Sequence, residues 1–108
     1  MTHSFSLVLT TCGDAAEAAR IAQKLVDSRL AACVQRFPIA STYRWEGKVE
    51  EAAEFMLFCK IRAPDYAAVE AAIRAAHSYV NPEIISIDIE KGAPAYLDWI
   101  LSVTQRAT

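Results

Sequence analysis

Two long strand-like segments with a tight turn between them limit the folds that this sequence can adopt. Residues 32–45 and 49–62 are rich in β-branched, aromatic and other apolar side chains, and Glu46-Gly47 makes the turn between them. Glycine tolerates the positive φ of a tight turn, so the sequence predicts a β-hairpin. Strands of about 14 residues span roughly 45 Å, which is too long for the sheet of a small domain. We therefore expect the hairpin to project beyond it.

Helices and shorter strands surround this hairpin. Asp14 can cap a first helix, and Glu17 can reach back to the same cap, while Pro38 predicts an edge strand or a bulge. The predicted elements are strand 5–9, helix 15–28, the two hairpin strands, a helix from residues 64–65 up to His77, strand 84–89 and a short helix opened by Gly92-Ala93-Pro94. This β-α-β-β-α-β order with a C-terminal helix predicts an α+β, ferredoxin-like sandwich, as one domain over residues 1–108.

Composition and charge exclude several classes of partner. The 108 residues are 54% hydrophobic and carry a net charge of −2, without a basic run of four residues. A nucleic acid or an anionic membrane is therefore not expected as a partner. No apolar stretch reaches the length of a membrane helix, and no secretory signal is expected. Three cysteines without a CxxC motif predict free thiols in a reducing cytoplasm.

The end of the hairpin predicts self-association. Tyr43 and Trp45 would lie in water on an isolated chain, and long exposed strand edges tend to pair with other chains. We expect the hairpin to pack against neighbouring copies. The alternative is that the last helix folds over it.

The corner from His77 to Ile85 is the candidate ligand site. It places an imidazole, a tyrosine and the Glu83 carboxylate around a proline, between a helix and a strand. His77 and Glu83 can bind a divalent metal, since imidazole favours copper or zinc over magnesium. They can also be structural, with His77 at a helix C-terminus and Glu83 paired to Lys60. No nucleophile motif or cofactor fingerprint accompanies them, so we expect neither an enzyme nor an organic cofactor.

Four blocks in order carry a resemblance to the CutA family of divalent-cation tolerance proteins. The blocks are Leu30–Val34, Ser41–Lys48, His77–Ile85 and Tyr96–Ile100. The resemblance implies a ferredoxin-like fold and a stable homotrimer whose hairpins link the subunits. It also implies a cytoplasmic protein involved in the response to copper and other divalent metals, without catalytic activity.

The residues themselves and the resemblance together give the candidate site residues. A metal set would comprise His77 and Glu83, with Cys33 as a further candidate; a ligand cleft between subunits would be lined by Lys60, Tyr79, Tyr96 and Trp99; and Tyr43 and Trp45 would contact neighbouring subunits. The chain departs from the family at Gly13, Ile61 and Ser78. Copper-site proposals in the family use a Cys at the position of Thr10 and a His at that of Ala76. Cys12 would replace that Cys only if its loop bends back.

Three functional hypotheses follow. The first is a non-enzymatic trimer that binds or responds to a divalent metal, and it is the one we favour. The second is a small-molecule sensor, similar in architecture to PII signalling proteins, with ligands between subunits. The third is a stable trimeric scaffold for a partner protein.

Overall fold

The computed structural model describes residues 4–106, so His3, to which the sequence assigned no role, lies outside the described residues. The elements are β1 (Phe5–Cys12), α1 (Ala15–Asp27), β2 (Cys33–Trp45), β3 (Lys48–Arg62), a 3₁₀ turn (Ala63–Asp65), α2 (Tyr66–Ala76), β4 (Ile84–Ile89) and α3 (Pro94–Val103). The strands form one antiparallel sheet in the order β2-β3-β1-β4. The predicted ferredoxin-like α+β class is confirmed. Among these helices, none is long and apolar enough to cross a membrane.

The predicted hairpin is present and is unbroken. Its register runs from the pair Cys33 and Lys60 to the pair Trp45 and Lys48. Glu46 and Gly47 have φ values of 51° and 80°, the combination that matches the twist of two antiparallel strands. Pro38 causes no bulge, because β2 is an edge strand and tolerates a missing donor on its free side. The described chain is 48 Å long, with hairpin strands of 13 and 15 residues.

The core lies between one face of the sheet and helices α1 and α2. Alternate residues of β3 point into it, and Leu57, Cys59 and Ile61 have no exposed surface. The helices contribute apolar side chains at helical spacing: Ala18, Ile21, Ala22 and Leu25 from α1, and Val69 and Ile73 from α2. This core fixes the position of both helices, and so of the loop that follows α2.

The opposite face of the sheet, which we call the open face, is covered only at one end within residues 4–106. There α3 buries Ile100, and Arg62 donates a hydrogen bond to the Thr104 carbonyl at 2.9 Å. At the far end of the hairpin, Tyr43 and Trp45 are each 44% exposed. The last helix therefore does not cover the hairpin tip, which was the alternative to self-association.

We predict that Gly47→Ala lowers the free energy of unfolding by about 1–2 kcal/mol, because an L-residue pays that cost in the left-handed region. A Cβ at Gly47 would meet no atom within 4 Å, so the loss would be conformational alone. Urea denaturation at fixed protein concentration measures it. Glu46→Asn is the control, since asparagine tolerates positive φ, and it should be neutral or slightly stabilising. Unchanged stability in Gly47→Ala would contradict the prediction.

Candidate functional site

Strand β1 is longer than the sequence predicted and ends in Cys12. The Thr10-Thr11 step was expected to break the strand, but threonine is β-branched and suits a pleated strand. Cys12 pairs with Phe55, and its side chain points to the same face as those of Val8 and Thr10. The thiol is fully buried. Cys12 therefore faces the same side of the sheet as Thr10 within a regular strand. The bent loop that the sequence analysis required is not needed.

His77 follows α2 directly and contacts the end of β1. Its Nε2 lies 2.7 Å from the Thr11 carbonyl oxygen and 3.9 Å from Cys12 Sγ. Because a carbonyl only accepts, Nε2 carries the proton in this hydrogen bond. The other ring nitrogen, Nδ1, accepts from the Tyr79 backbone N–H at 3.1 Å. Both ring nitrogens of a neutral His77 are therefore engaged.

Glu17 holds the loop after α2 rather than its own helix cap. Asp14 caps α1 as predicted, accepting from the Glu17 N–H at 2.7 Å. The expected reach of the Glu17 carboxylate back to this cap is wrong. It accepts instead from the Ser78 backbone N–H at 2.8 Å and from Ser78 Oγ at 3.1 Å, and Glu17 is only 4% exposed. The buried Glu17 carboxylate therefore ties Ser78, and with it the start of this loop, to α1.

Cys12, Glu17 and His77 form a cluster with the donor types of a transition-metal site, which we call the thiol–imidazole cluster. One ligand atom from each side chain lies within 4.8 Å of the other two. Thiolate, imidazole and carboxylate together suit zinc or copper better than magnesium or calcium. Burial, and to a smaller extent the nearby Glu17 and Asp14 carboxylates, raise the pKa of the Cys12 thiol to about 12. The thiol is therefore protonated at neutral pH, and a metal would have to displace that proton.

Of the residues predicted to bind metal, the cluster contains His77 and neither Glu83 nor Cys33. Cys33 lies on the open face, opposite Lys60 in the register, while the cluster is on the core side. Sequence reasoning did not select Glu17 as a metal ligand, and it considered Cys12 as a ligand only on the condition that its loop bends back. Cys12 is four residues from Val8 on the same strand, so the two side chains point to the same face. This spacing is the sequence signal that would have placed Cys12 on the core side of the sheet.

The predicted cleft residues separate into two groups. Lys60 Nζ lies 2.9 Å from the Tyr96 hydroxyl and 5.1 Å from the centre of that ring, and Tyr96 stacks at 5.4 Å on Trp99. Tyr79 lies elsewhere, 4.8 Å from the His77 ring between centroids. Lys60, Tyr96 and Trp99 thus form one group at the α3 end of the open face. On β3, Lys60 is six residues from Glu54, a separation of roughly 20 Å along the strand.

Tyr79 closes one side of a pocket at the hairpin end of the open face. The pocket has a volume of about 590 Å³. The Tyr79 hydroxyl donates to Glu54 Oε2 at 2.8 Å, and Glu54 is only 7% exposed. Burial and this hydrogen bond raise the pKa of Tyr79. The lining residues are Thr11, Ser41, Thr42, Tyr43, Trp45, Glu54, Tyr79, Val80, Asn81 and Glu83. We call this the aromatic–acid pocket.

In Tyr79→Phe we expect a loss of about 1–3 kcal/mol in the free energy of unfolding, because a buried carboxylate loses its hydrogen-bond donor. Chemical denaturation at fixed protein concentration measures the loss. The matched control is Tyr43→Phe, which removes a hydroxyl that is not hydrogen-bonded within the described residues and should change stability by less than about 0.5 kcal/mol. Equal effects of the two substitutions would refute the role given to the Tyr79 hydroxyl.

Comparison with known proteins places this geometry in a family. The sequence profile described as "CutA1 divalent ion tolerance protein" matches residues 6–103. A divalent-cation tolerance protein CutA of Archaeoglobus fulgidus is 45% identical over 98 residues, covering 91% of this chain and 94% of the relative. The crystal structure of CutA1 from Oryza sativa superposes with a TM-score of 0.93 at 34% identity, covering 98% of each chain.

A further solved structure corrects the predicted localisation. It is described as the periplasmic divalent cation tolerance protein CutA from Archaeoglobus fulgidus and has a TM-score of 0.90 at 42% identity, covering 96% of this chain and 100% of its own. This description contradicts the cytoplasmic prediction, which is wrong by this comparison. The prediction rested on unpaired cysteines, yet Cys12 and Cys59 are buried, and buried thiols are protected from oxidants in either compartment. By sequence and by fold, this chain belongs to the CutA1 family of divalent ion tolerance proteins.

Proposed function

We propose that this chain acts as a non-enzymatic homotrimer that binds a thiophilic divalent metal, copper foremost, in the tolerance role for which its family is named. The observation that carries the metal proposal is the thiol–imidazole cluster of Cys12, Glu17 and His77. Its three donors come from β1, α1 and the start of the loop after α2. The core packs these elements together, and the hydrogen bonds of His77 to Thr11 and of Ser78 to Glu17 hold the loop in place.

Metal binding at this cluster requires local rearrangement. His77 Nε2 bonds to Thr11, and the Glu17 carboxylate bonds to Ser78. A metal would exchange these hydrogen bonds for coordination and would expel the Cys12 proton. Binding is therefore coupled to proton release and to movement of residues 77–79.

The apparent metal affinity should rise about tenfold for each pH unit between about pH 7 and pH 9, because one proton leaves Cys12 on binding and the thiol pKa of about 12 lies above this range. Calorimetric titration of the reduced, metal-free protein with zinc measures this slope without redox chemistry. An affinity that is flat with pH would show that the bound ligand atoms are not the buried thiol.

Two cysteine substitutions distinguish metal binding at the thiol–imidazole cluster from metal binding that uses Cys33, the cysteine predicted from the sequence. Cys12→Ser keeps the size of the side chain but removes the thiolate, and it should weaken zinc and copper binding by about a hundredfold or more. Cys33→Ser is the matched control, since Cys33 lies on the opposite side of the sheet. Loss of affinity in Cys33→Ser with normal binding in Cys12→Ser would overturn the cluster in favour of Cys33.

The open face supports the homotrimer. Phe37, Ile85 and Ile87 are 39%, 48% and 50% exposed on it, and Tyr43 and Trp45 extend the same surface to the hairpin tip. An apolar sheet face of this kind is typical of an interface between subunits. The β2 and β4 edges also leave strand hydrogen bonds free for neighbouring chains.

Light scattering coupled to size exclusion should give a mass of about three times the 11.9 kDa chain. Ile87→Asp should lower this mass, because a carboxylate buried at an interface loses its hydration. Lys24→Asp, on the exposed side of α1, also introduces an aspartate, changes the net charge by two rather than one, and should still leave the mass unchanged. A wild-type protein that elutes as a monomer would refute the assembly and leave the metal titration to be judged separately.

The small-molecule hypothesis also keeps support from the aromatic–acid pocket, which offers a volume of about 590 Å³ outside the metal cluster.

A further inference from the structure

The loop after α2 is tied to the core side by the same side chains that would bind a metal. His77 Nε2–H donates to the Thr11 carbonyl at 2.7 Å. The Glu17 carboxylate accepts from the Ser78 backbone N–H at 2.8 Å and from Ser78 Oγ at 3.1 Å. His77 and Glu17 are two of the three members of the thiol–imidazole cluster. A metal at the cluster therefore competes with the hydrogen bonds that hold this loop.

Tyr79 carries the loop across to the other side of the sheet. Its backbone N–H donates to His77 Nδ1 at 3.1 Å, and the two rings lie 4.8 Å apart between centroids. Its hydroxyl donates to Glu54 Oε2 at 2.8 Å. Within residues 4–106 the Glu54 side chain has no other hydrogen-bond donor and no ion pair, although it is only 7% exposed in a single chain. The position of Tyr79 therefore decides whether a buried carboxylate has a donor.

The Tyr79–Glu54 pair lies on the surface where we place contacts between copies. Both residues line the same depression as Tyr43 and Trp45, the two rings of the hairpin tip. Thr11, whose carbonyl accepts from His77, lines it as well. Association of subunits removes water from such a surface, so a carboxylate that has lost its donor becomes costly there. Contact between copies is therefore favoured when Tyr79 is held in place.

We propose that residues 77–79 couple the two functions of this chain, so that metal binding at the thiol–imidazole cluster weakens the contact between copies at the hairpin end. This inference rests on the proposed metal site and homotrimer and adds their regulation. The loop has a tied state, in which Tyr79 serves Glu54, and a released state, in which His77 and Glu17 bind the metal. Because such coupling is reciprocal, assembly weakens metal binding by the same factor.

The first test measures assembly with and without zinc. Light scattering over a dilution series, at a fixed urea concentration that leaves the chain folded, gives the dissociation constant of the reduced, full-length assembly. We expect saturating zinc to raise this constant about tenfold or more. Cys12→Ser is the matched control, because it removes the soft ligand and keeps the loop bonds to Thr11 and Glu17. At the same zinc concentration its assembly should not change.

Three outcomes would overturn the proposal. In the first, wild-type protein binds zinc and assembles, yet its dissociation constant stays the same. In the second, zinc weakens assembly of Cys12→Ser as much as that of the wild type. In the third, either zinc fails to bind or the chain stays a monomer. Calorimetry and the measured mass then show whether the metal site or the homotrimer has failed, which separates this case from a failure of the coupling alone.

The second test needs no metal. His77→Ala removes the ring that anchors the loop, so it should raise the dissociation constant by itself. In a Tyr79→Phe background the same substitution should have a much smaller effect, because Glu54 has already lost its donor. Ser78→Ala is the milder variant and should act in the direction of His77→Ala. Arg74→Ala, on the exposed side of α2, is the control and should leave assembly unchanged. Additive effects of His77→Ala and Tyr79→Phe would contradict the coupling.

Discussion

Side-chain alternation along β3 organises the molecule, because this strand is paired on both sides and separates two environments. One set of its residues, which includes Leu57, Cys59 and Ile61, closes the core under α1 and α2. The other set faces the open side and includes Glu54, which borders the aromatic–acid pocket, and Lys60, which meets α3. A slip of one residue in this register would exchange the two sets, so both candidate sites depend on the pairing.

The loop after α2 joins the two sites physically. His77 and Ser78 bond to β1 and α1 on the core side, while Tyr79 bonds to Glu54 on the open side. A metal bound by His77 and Glu17 would break their hydrogen bonds to Thr11 and Ser78. It would thereby loosen the loop after α2, which also closes the pocket. Thr11 connects the two sites as well, because its carbonyl accepts from His77 and the residue lines the pocket.

Much of the architecture was predictable from local patterns. Period-two apolar runs, the Glu46-Gly47 turn and the Asp14 cap correctly predicted the hairpin and the first helix, because each depends on neighbours in the sequence. The site was less predictable. Glu17 has the spacing of a capping residue, yet its carboxylate bonds to Ser78, 61 residues away, because the core packs α1 beside the end of α2. Local propensity carries no information about such long-range partners.

The order of elements, the projecting hairpin and the family could be read from the sequence, since they follow from periodicity, turn chemistry and four short sequence blocks. Which polar groups meet depends on how the elements pack. The tertiary structure placed Cys12, not Cys33, beside His77, and it left Glu83 in a separate pocket with Tyr79 and Glu54. A set of metal donors forms only when atoms on different elements lie within a few ångströms of one another. Sheet register and helix packing set those distances, and no short stretch of sequence encodes them.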